Sequence, residues 1–428
     1  MYLTNPQIAQ LTSEENFIRK MLDFEMALAK VQGELGIVPK EAAHAIVENL
    51  QDLKIQPEAL AEGTLQNGIP TITLLAIAKK SLPAFAQDYL HWGATSQDVM
   101  DTAQVLLVRE VAKVIEKRIQ ELLQNLALLI QNQGDTPMIS RTRTQQAVPI
   151  LFGQKVATWA SPLVRHLQRL QELKPRLLVV QLGGAAGNLS ALGNDGLSIS
   201  KALADELNLG FALPWHTQRD NFAEFASWLA LLSGSLGKMG QDILVMSQTE
   251  INEVVENAAG GGKSSTMPHK NNPILSEALV MLARKNTQLT AIQLQAMLHT
   301  NERDGSAWAL EWDNLPQMMV NTGTALSHAL TISQHLKTNP EAMQRNLNSL
   351  KGLIFSEAAT FILSKFLGKN EAKKLAVKAC ERVVSENKNL PDILQELTPD
   401  LSINWQEELR IEKHLGVSKK IINTVLNG

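Results

Sequence analysis

DVMDTAQVLLVREVAKVIEKRIQELLQNLALLIQNQ, residues Asp98 to Gln133, contains neither glycine nor proline. Its apolar residues recur at helical spacing, at Val108, Val111, Ala112, Ile115, Ile119, Leu122, Leu123 and Leu126. A helix over this run would be about 50 Å long at about 1.5 Å per residue. Ile274 to Arg303 is a second run free of both breakers. Asp220 to Glu256 is a third, in which Gly234, Gly237 and Gly240 predict close helix–helix contact or a bend. A fourth, Gln317 to Lys337, is interrupted only by Gly323. Strand-like alternation is scarce, and Leu177 to Leu182 is the best short candidate. Helices this long exceed the globular mean several-fold. The expected fold class is therefore all-α, three helical domains with a central long-helix bundle. The expected parts are an N-terminal helical domain over 1–110, the long-helix bundle over 111–353, and a smaller helical domain over 354–428 with breaks near Gly368, Pro391 and Pro399.

The chain has 428 residues and a formal net charge of -3, with no long basic run. Bulk binding to nucleic acid or to an anionic membrane surface is excluded on that ground. No stretch of 18 residues is apolar and free of charge, so no membrane span is expected. MYLTNPQIAQLTSEEN lacks a basic n-region followed by an apolar h-region, and a cytoplasmic location is expected. The one cysteine, Cys380, sits at helical spacing in AVKACERVV and reads as a core residue. A disulfide within the chain and a cysteine-built metal site are excluded. A long narrow bundle has much surface, and 44% of the residues are hydrophobic. Part of that surface is expected to be buried against other subunits.

Three segments carry chemistry. His91-Trp92-Gly93-Ala94-Thr95-Ser96-Gln97-Asp98 precedes the first long run, and Thr95 with Asp98 fits a capping box. It reads either as a cap alone or as a carboxylate site, since free N–H groups and the hydroxyls of Thr95 and Ser96 meet there. His91 is open between a ligand contact and a satisfied buried histidine. In Ser140-Arg141-Thr142-Arg143-Thr144-Gln145-Gln146-Ala147-Val148-Pro149, two arginines flank a threonine. That is a solvated turn or a polyanion clamp, since guanidinium groups pair with carboxylates as a fork. A helical stretch from Phe152 to Leu173 follows, with Pro162 as a candidate kink. The third segment is Gly260-Gly261-Gly262-Lys263-Ser264-Ser265-Thr266-Met267-Pro268-His269-Lys270-Asn271-Asn272-Pro273. Three glycines predict a hinge, and Asn272 with Pro273 looks like an N-cap and a first helical residue. Hydroxyls and ammonium groups between a hinge and a helix N-terminus suit a lid over an anion.

Ser264 to Pro273 matches the S-S-x-M-P-x-K-x-N-P signature of the fumarase/aspartase superfamily, and the other two segments resemble its other shared regions in order. The resemblance covers roughly residues 10 to 375. It implies a homotetramer with composite active sites, each assembled from three subunits, and no metal or organic cofactor. It implies Ser264 as the proton-transferring serine, with Lys270 and Asn272 holding a carboxylate. A serine hydroxyl is a poor base at neutral pH, and Lys263, Lys270 and loop N–H groups are the expected means of lowering its pKa.

Two positions depart from the superfamily pattern. Where it usually reads T-H-x-Q-x-A-x-P, this chain reads Thr142-Arg143-Thr144-Gln145-Gln146-Ala147-Val148-Pro149. Arg143 stands in place of the acid histidine, and an arginine does not readily give up its proton. That speaks against adenylosuccinate lyase, argininosuccinate lyase and fumarase. It resembles the branch of 3-carboxy-cis,cis-muconate cycloisomerases, which lacks this histidine and usually has tryptophan there. Lys263 is the second departure, since glycine normally precedes the two serines.

Further stretches resemble the same branch: Gln181-Leu182-Gly183-Gly184-Ala185-Ala186-Gly187, Pro214-Trp215-His216-Thr217-Gln218-Arg219-Asp220, and Glu302-Arg303-Asp304-Gly305-Ser306 with Trp308 and Glu311-Trp312. The implied substrate is a small tricarboxylate, a conjugated diene of aromatic breakdown. One carboxylate oxygen adds to a double bond, closing a lactone, and the adjacent carbon becomes an aci-carboxylate that must be protonated. In reverse the leaving group is a weakly basic carboxylate, so no acid partner is required. Ser264, Lys270 and His91 are the expected catalytic residues. Thr95, Ser96, Thr142, Arg143, Gln145, Ser265, Asn272 and Arg303 are the expected substrate contacts. The same-fold rival is an adenylosuccinate lyase-type enzyme releasing fumarate, and the rival of another class is a non-catalytic bundle protein.

Overall fold

The computed structural model of the protein describes residues 3–256 and 262–427. Gly260 and Gly261, expected as part of a hinge, lie outside the described residues. Six helices position the site: α1 (Glu14–Glu34), α2 (Ser96–Gln133), α3 (Phe152–Leu177), α4 (Asp220–Met246), α5 (Ile274–Gln295) and α6 (Gly305–His335). The all-α reading holds, and each long glycine- and proline-poor run is mostly occupied by a long helix. On α2, every apolar residue named above is buried except Leu123, which is half-buried.

The ends of the other runs differ from expectation. α4 stops at Met246 rather than near Glu256. Ser247 to Asn252 is polar apart from Ile251, offers no stripe to bury, and closes in turns, with Asn252 left-handed at φ 51°. α5 stops at Gln295, short of Arg303. A new helix starts at Gly305 because Asp304 accepts from the N–H groups of Ser306 and Ala307 at 2.9 and 3.1 Å. That helix, α6, then runs through Pro316 and Gly323.

Sheet is scarce, as expected, but its one candidate was misplaced. β1 (Pro137–Thr142) and β2 (Gln145–Leu151) form an antiparallel hairpin with Thr142 opposite Gln145. β3 (Val254–Val255) pairs with β4 (Lys337–Thr338). Leu177 to Leu182 makes no strand, only a bridge between Val179 and Gly210.

The chain divides into two compact units. Unit 1 comprises 1–119, 166–234 and 281–327, and unit 2 comprises 120–165, 235–280 and 328–428. The core of unit 1 includes Met21, Leu22, Phe24 and Leu28 of α1 with Val99 and Ala103 of α2. The core of unit 2 gathers Ile139 of the hairpin with Leu347, Leu390, Ile393 and Trp405. Cys380 is half-buried at the edge of that core.

The glycines of α4 behave differently from one another. A Cβ on Gly240 would sit 2.7 Å from the Ser276 carbonyl oxygen and 2.9 Å from Leu279 Cβ, so this glycine permits close approach of α5. A Cβ on Gly234 would meet nothing within 4 Å. Gly240→Ala should therefore destabilise by about 1–3 kcal/mol through overpacking. Gly234→Ala should stabilise by up to about 1 kcal/mol through helix propensity. Urea unfolding of both variants checks the pair, and equal effects would contradict it.

Candidate active site

In unit 1, half of the expected capping box at the start of α2 is made: Asp98 Oδ2 accepts from the Thr95 N–H at 2.9 Å, while the Asp98 N–H bonds the Thr95 carbonyl. The carboxylate does more than cap. Gly184 N–H donates to Oδ2 at 3.0 Å, and Gly183 N–H and His216 Nε2–H donate to Oδ1 at 2.8 and 2.7 Å. Asp98 is fully buried, so these donors replace its water shell. Gly184 is left-handed at φ 67°, and a Cβ on Gly183 would lie 2.7 Å from His216 Cε1. Both positions thus need glycine for the turn to seat on Asp98.

Gln97 ties in the remaining stretches. Its amide donates to the His216 carbonyl at 2.8 Å and its oxygen accepts from Arg303 Nε at 2.8 Å. Arg303 Nη2 donates to the Ala185 carbonyl at 3.1 Å. The start of α2, the glycine turn, the Trp215-His216 turn and Arg303 are therefore one hydrogen-bonded assembly.

Beside Gln181 lies a buried charge cluster. Arg219 is held by Asp101 at 2.6 and 3.0 Å and by Glu311, to which Nε donates at 3.1 and 3.2 Å. Trp308 Nε1 donates to Asp101 at 3.0 Å, and Gln293 donates to Glu311 at 3.1 Å. Burial opposes the charge on Arg219, but the two carboxylates outweigh it and its pKa is raised. Burial raises the pKa of Glu311 against the pull of Arg219. Burial and the Arg219 charge lower that of His299.

His91 occupies a left-handed conformation, φ 64°, which is strained for a residue with a Cβ. Its Nδ1 lies 2.6 Å from Oε1 of Glu25, a carboxylate with no solvent exposure. Burial works against a charged imidazole, but the Glu25 charge and hydrogen bond outweigh it and the pKa is raised. Of the two readings left open, His91 is partnered on one nitrogen. Glu25 was missed from sequence, although it falls on the apolar face of α1 with Met21, Leu22, Leu28 and Ala29, where a lone carboxylate signals a buried partner.

In unit 2, the second segment is the hairpin tip. Arg143 and Thr144 are both left-handed, at φ 49° and 69°, as a two-residue turn requires. Arg and Thr are not the usual residues for it, which is why the turn was not legible. Thr142, Arg143 and Gln145 are exposed there. Arg141 corrects the idea of a two-arginine clamp, because its guanidinium is committed as a fork to buried Glu253 at 2.8 and 2.9 Å. The Arg143 guanidinium makes no hydrogen bond or ion pair among the described residues; its carbonyl accepts from the Thr144 hydroxyl at 2.6 Å.

Glu253 leads through β3 to Glu256, which sets the third segment. The Glu256 carboxylate accepts from Leu275 N–H at 2.9 Å, Ser276 N–H at 2.8 Å and Ser276 Oγ at 2.6 Å. Its carbonyl accepts from Asn271 Nδ2 at 3.2 Å. This corrects the expected cap. Glu277 N–H bonds the Pro273 carbonyl, so Pro273 is the cap residue, and Glu256 rather than Asn272 fills the N-terminus of α5. Those backbone donors are therefore not open to a substrate.

Within the loop, Ser264 N–H donates to the Lys270 carbonyl at 3.1 Å and Asn272 N–H to the Gly262 carbonyl at 2.8 Å. Gly262 is left-handed at φ 80°, and a Cβ there would collide with the Asn272 carbonyl. Ser264 Oγ accepts from the N–H groups of Thr266 and Met267 at 3.3 and 3.0 Å. Two donors on one hydroxyl oxygen favour its anionic form. Ser265 and Lys270 are exposed and Asn272 is half-buried. Thus unit 1 carries His91, Thr95, Ser96 and Arg303, and unit 2 carries Thr142, Arg143, Gln145, Ser264, Ser265, Lys270 and Asn272.

A protein-family profile described as Lyase matches residues 2–286. The chain belongs to the lyase family. Among relatives, the 3-carboxy-cis,cis-muconate cycloisomerase of Pseudomonas aeruginosa is 40% identical over 90% of this chain and 85% of its own length. Trans-aconitate decarboxylase 1 of Mycosarcoma maydis is 39% identical over 91% of this chain and 80% of its own. The crystal structure of the 3-carboxy-cis,cis-muconate lactonizing enzyme of Pseudomonas putida superposes with a TM-score of 0.93 at 37% identity, covering 100% of this chain and 97% of that one. The lyase-family membership agrees with the resemblance read from Ser264 to Pro273, and the likeness covers far more than that loop.

The anchoring of the lyase-family helix start by Asp98 is testable. Asp98→Ala leaves the donors of Thr95, Gly183, Gly184 and His216 without their acceptor. At about 1–3 kcal/mol for each buried donor that stays unpaired, several kcal/mol of stability should be lost. Asp98→Asn, which keeps an acceptor oxygen, should lose less. Chemical denaturation of the two variants measures the difference.

Proposed function

We propose that this protein is a cycloisomerase that closes 3-carboxy-cis,cis-muconate to 4-carboxymuconolactone through an aci-carboxylate. The observation that carries the reading is Arg143: an uncommitted guanidinium stands on the hairpin tip where fumarate-releasing relatives carry a histidine acid. Ring closure needs no second acid, and a fixed cation suits a trianion. The 40% identity to a cycloisomerase over 90% of the chain supports the same choice.

In the proposed mechanism, a substrate carboxylate oxygen adds to the double bond and negative charge moves onto the neighbouring carboxylate as an enediolate. Lys270, Asn272 and Arg303 stabilise the carboxylates, with Thr95, Ser96, Thr142, Gln145 and Ser265 as further contacts. His91 donates a hydrogen bond to the enediolate. Ser264 gives its proton to the carbon, and the resulting alkoxide is held by the Thr266 and Met267 N–H groups until solvent returns a proton.

We further propose a cytoplasmic homotetramer with composite sites, acting in the breakdown of aromatic compounds. Met281, Ile292, Leu294, Leu298 and Leu310, all in unit 1, expose large apolar side chains, which supports burial against other copies. Among the described residues, no helix is long and apolar enough to cross a membrane. Sedimentation should give a mass near four chains of 47.0 kDa. A monomer at micromolar concentration would refute the assembly.

With 3-carboxy-cis,cis-muconate, the ultraviolet absorbance of the diene should fall, because ring closure removes conjugation. Ser264→Ala should slow turnover by about 10²–10⁴-fold, the usual worth of a positioned proton donor. A flat trace with activity on adenylosuccinate would favour a fumarate-releasing lyase. Release of carbon dioxide from trans-aconitate would favour the reaction named for the Mycosarcoma maydis relative.

A further inference from the structure

We propose that Glu25 is a positioning residue that holds His91 as a charged imidazolium with Nε2–H directed away from the carboxylate as the donor to the reacting enediolate. The inference rests on the reading of His91 given above and adds the residue through which it works.

Glu25 lies inside α1, one turn from Met21 and Leu22 and one turn from Leu28, among the residues of the unit 1 core. Its side chain has no solvent exposure. Oε1 lies 2.6 Å from His91 Nδ1, and Oε2 makes no hydrogen bond among the described residues. An ionised carboxylate so buried is costly unless a charge compensates it. Among the described residues, the group in reach is the His91 ring. The Glu25 charge and hydrogen bond outweigh burial and raise the His91 pKa, which favours the imidazolium.

The geometry then assigns the two ring nitrogens. Nδ1–H is committed to Oε1, which leaves Nε2–H as the free donor of a ring that is 17% exposed. The left-handed backbone at His91 points to the same constraint. Such a conformation is strained for a residue with a Cβ and persists only where its surroundings hold it. The adjacent chain is fixed by Gln32, whose amide donates to the Trp92 carbonyl at 2.8 Å. α1 thus grips this turn at two points, Glu25 on the ring and Gln32 on the backbone. The charges acting on His91 are Glu25 and Asp98, which favour its protonated form, and Lys79, which opposes it.

The sign of the pH dependence follows. The folded pKa of His91 is raised, so the ion pair contributes fully below the unfolded histidine pKa and is lost as pH rises through the folded value. Activity that needs imidazolium should show an alkaline limb at that folded value.

The test uses the full-length enzyme and two readouts. The first is the rate of His91 carbethoxylation against pH, read by peptide mapping, which reports the unprotonated fraction without any substrate. The second is the pH profile of kcat and of KM with 3-carboxy-cis,cis-muconate. In Glu25→Gln, the His91 midpoint should fall by about one unit or more, the scale of losing a close opposite charge. The alkaline limb of kcat should move down with it, while KM changes less. Glu25→Asp should restore most of the midpoint and of kcat, and serves as the variant if Glu25→Gln does not fold. In a His91→Gln background, Glu25→Gln should lower kcat no further. An unmoved midpoint in a folded Glu25→Gln protein overturns the proposal, as does a midpoint that falls by about one unit or more in Glu25→Asp, where the carboxylate is kept, or a further loss of kcat in the His91→Gln background. If the wild type fails to turn over the tricarboxylate while the midpoint still moves, the functional reading fails and the coupling of Glu25 to His91 stands.

Discussion

Four donors converge on the buried carboxylate of Asp98: the N–H groups of Thr95, Gly183 and Gly184, and Nε2 of His216. They come from the start of α2, a glycine turn more than 80 residues away in sequence, and a third turn near Trp215. One anion therefore sets the distance between three chain segments of unit 1. Thr95 and Ser96 are placed by the first of these segments. Arg303 is placed by Gln97 and by Ala185, which belong to the first two. A charge that must be satisfied to remain buried is a stronger positional constraint than apolar contact, because it fails if any one donor is displaced.

The Arg219 cluster shows the same logic at higher cost. Two buried carboxylates share one buried guanidinium, which also lies 4.8 Å from the ring of Trp215 and 5.2 Å from that of Phe222. Buried ion pairs add little net stability compared with apolar packing, yet losing one partner costs about 3–5 kcal/mol. Such a cluster fixes geometry. Here it joins α2, through Asp101, to α6, through Glu311 and Trp308, within unit 1. Burial pushes the Glu311 pKa up, and the neighbouring Asp101 charge adds to it against the pull of Arg219.

Long helices were legible because their signal is redundant: a stripe such as Val108 to Leu126 repeats over many turns and survives local exceptions. The 137–151 hairpin was not, because its turn is Arg143-Thr144 rather than a glycine-containing pair, and its strands are only 6 and 7 residues long. The Thr95 and Asp98 pairing is legible as local chemistry through the bond from the Thr95 N–H to Asp98. Its wider role was invisible, since the other partners of Asp98 lie far along the chain. Helix α5 shows the opposite failure. Asn272-Pro273 has the local pattern of a cap, and a tertiary contact from Glu256 supersedes it. Arg141 and Arg143 look alike in sequence, and only the presence of Glu253 separates a structural fork from a free cation.

The filled N-terminus of α5 bears on how this chain would recognise an anion. A carboxylate ligand at a helix start gains from backbone donors and the helix dipole together. On α5 both are spent on Glu256, which also tethers Asn271 at the end of the loop. On this part of unit 2, positive charge for a trianionic substrate must then come from side chains. In unit 2, the hairpin and loop supply Arg143, Lys263 and Lys270, and each is exposed with no acidic partner among the described residues. Two of these three are the positions that depart from the superfamily pattern. In the proposed reading, a substrate with one more carboxylate than a succinyl group needs further compensating charge, and the departures add it without adding an acid.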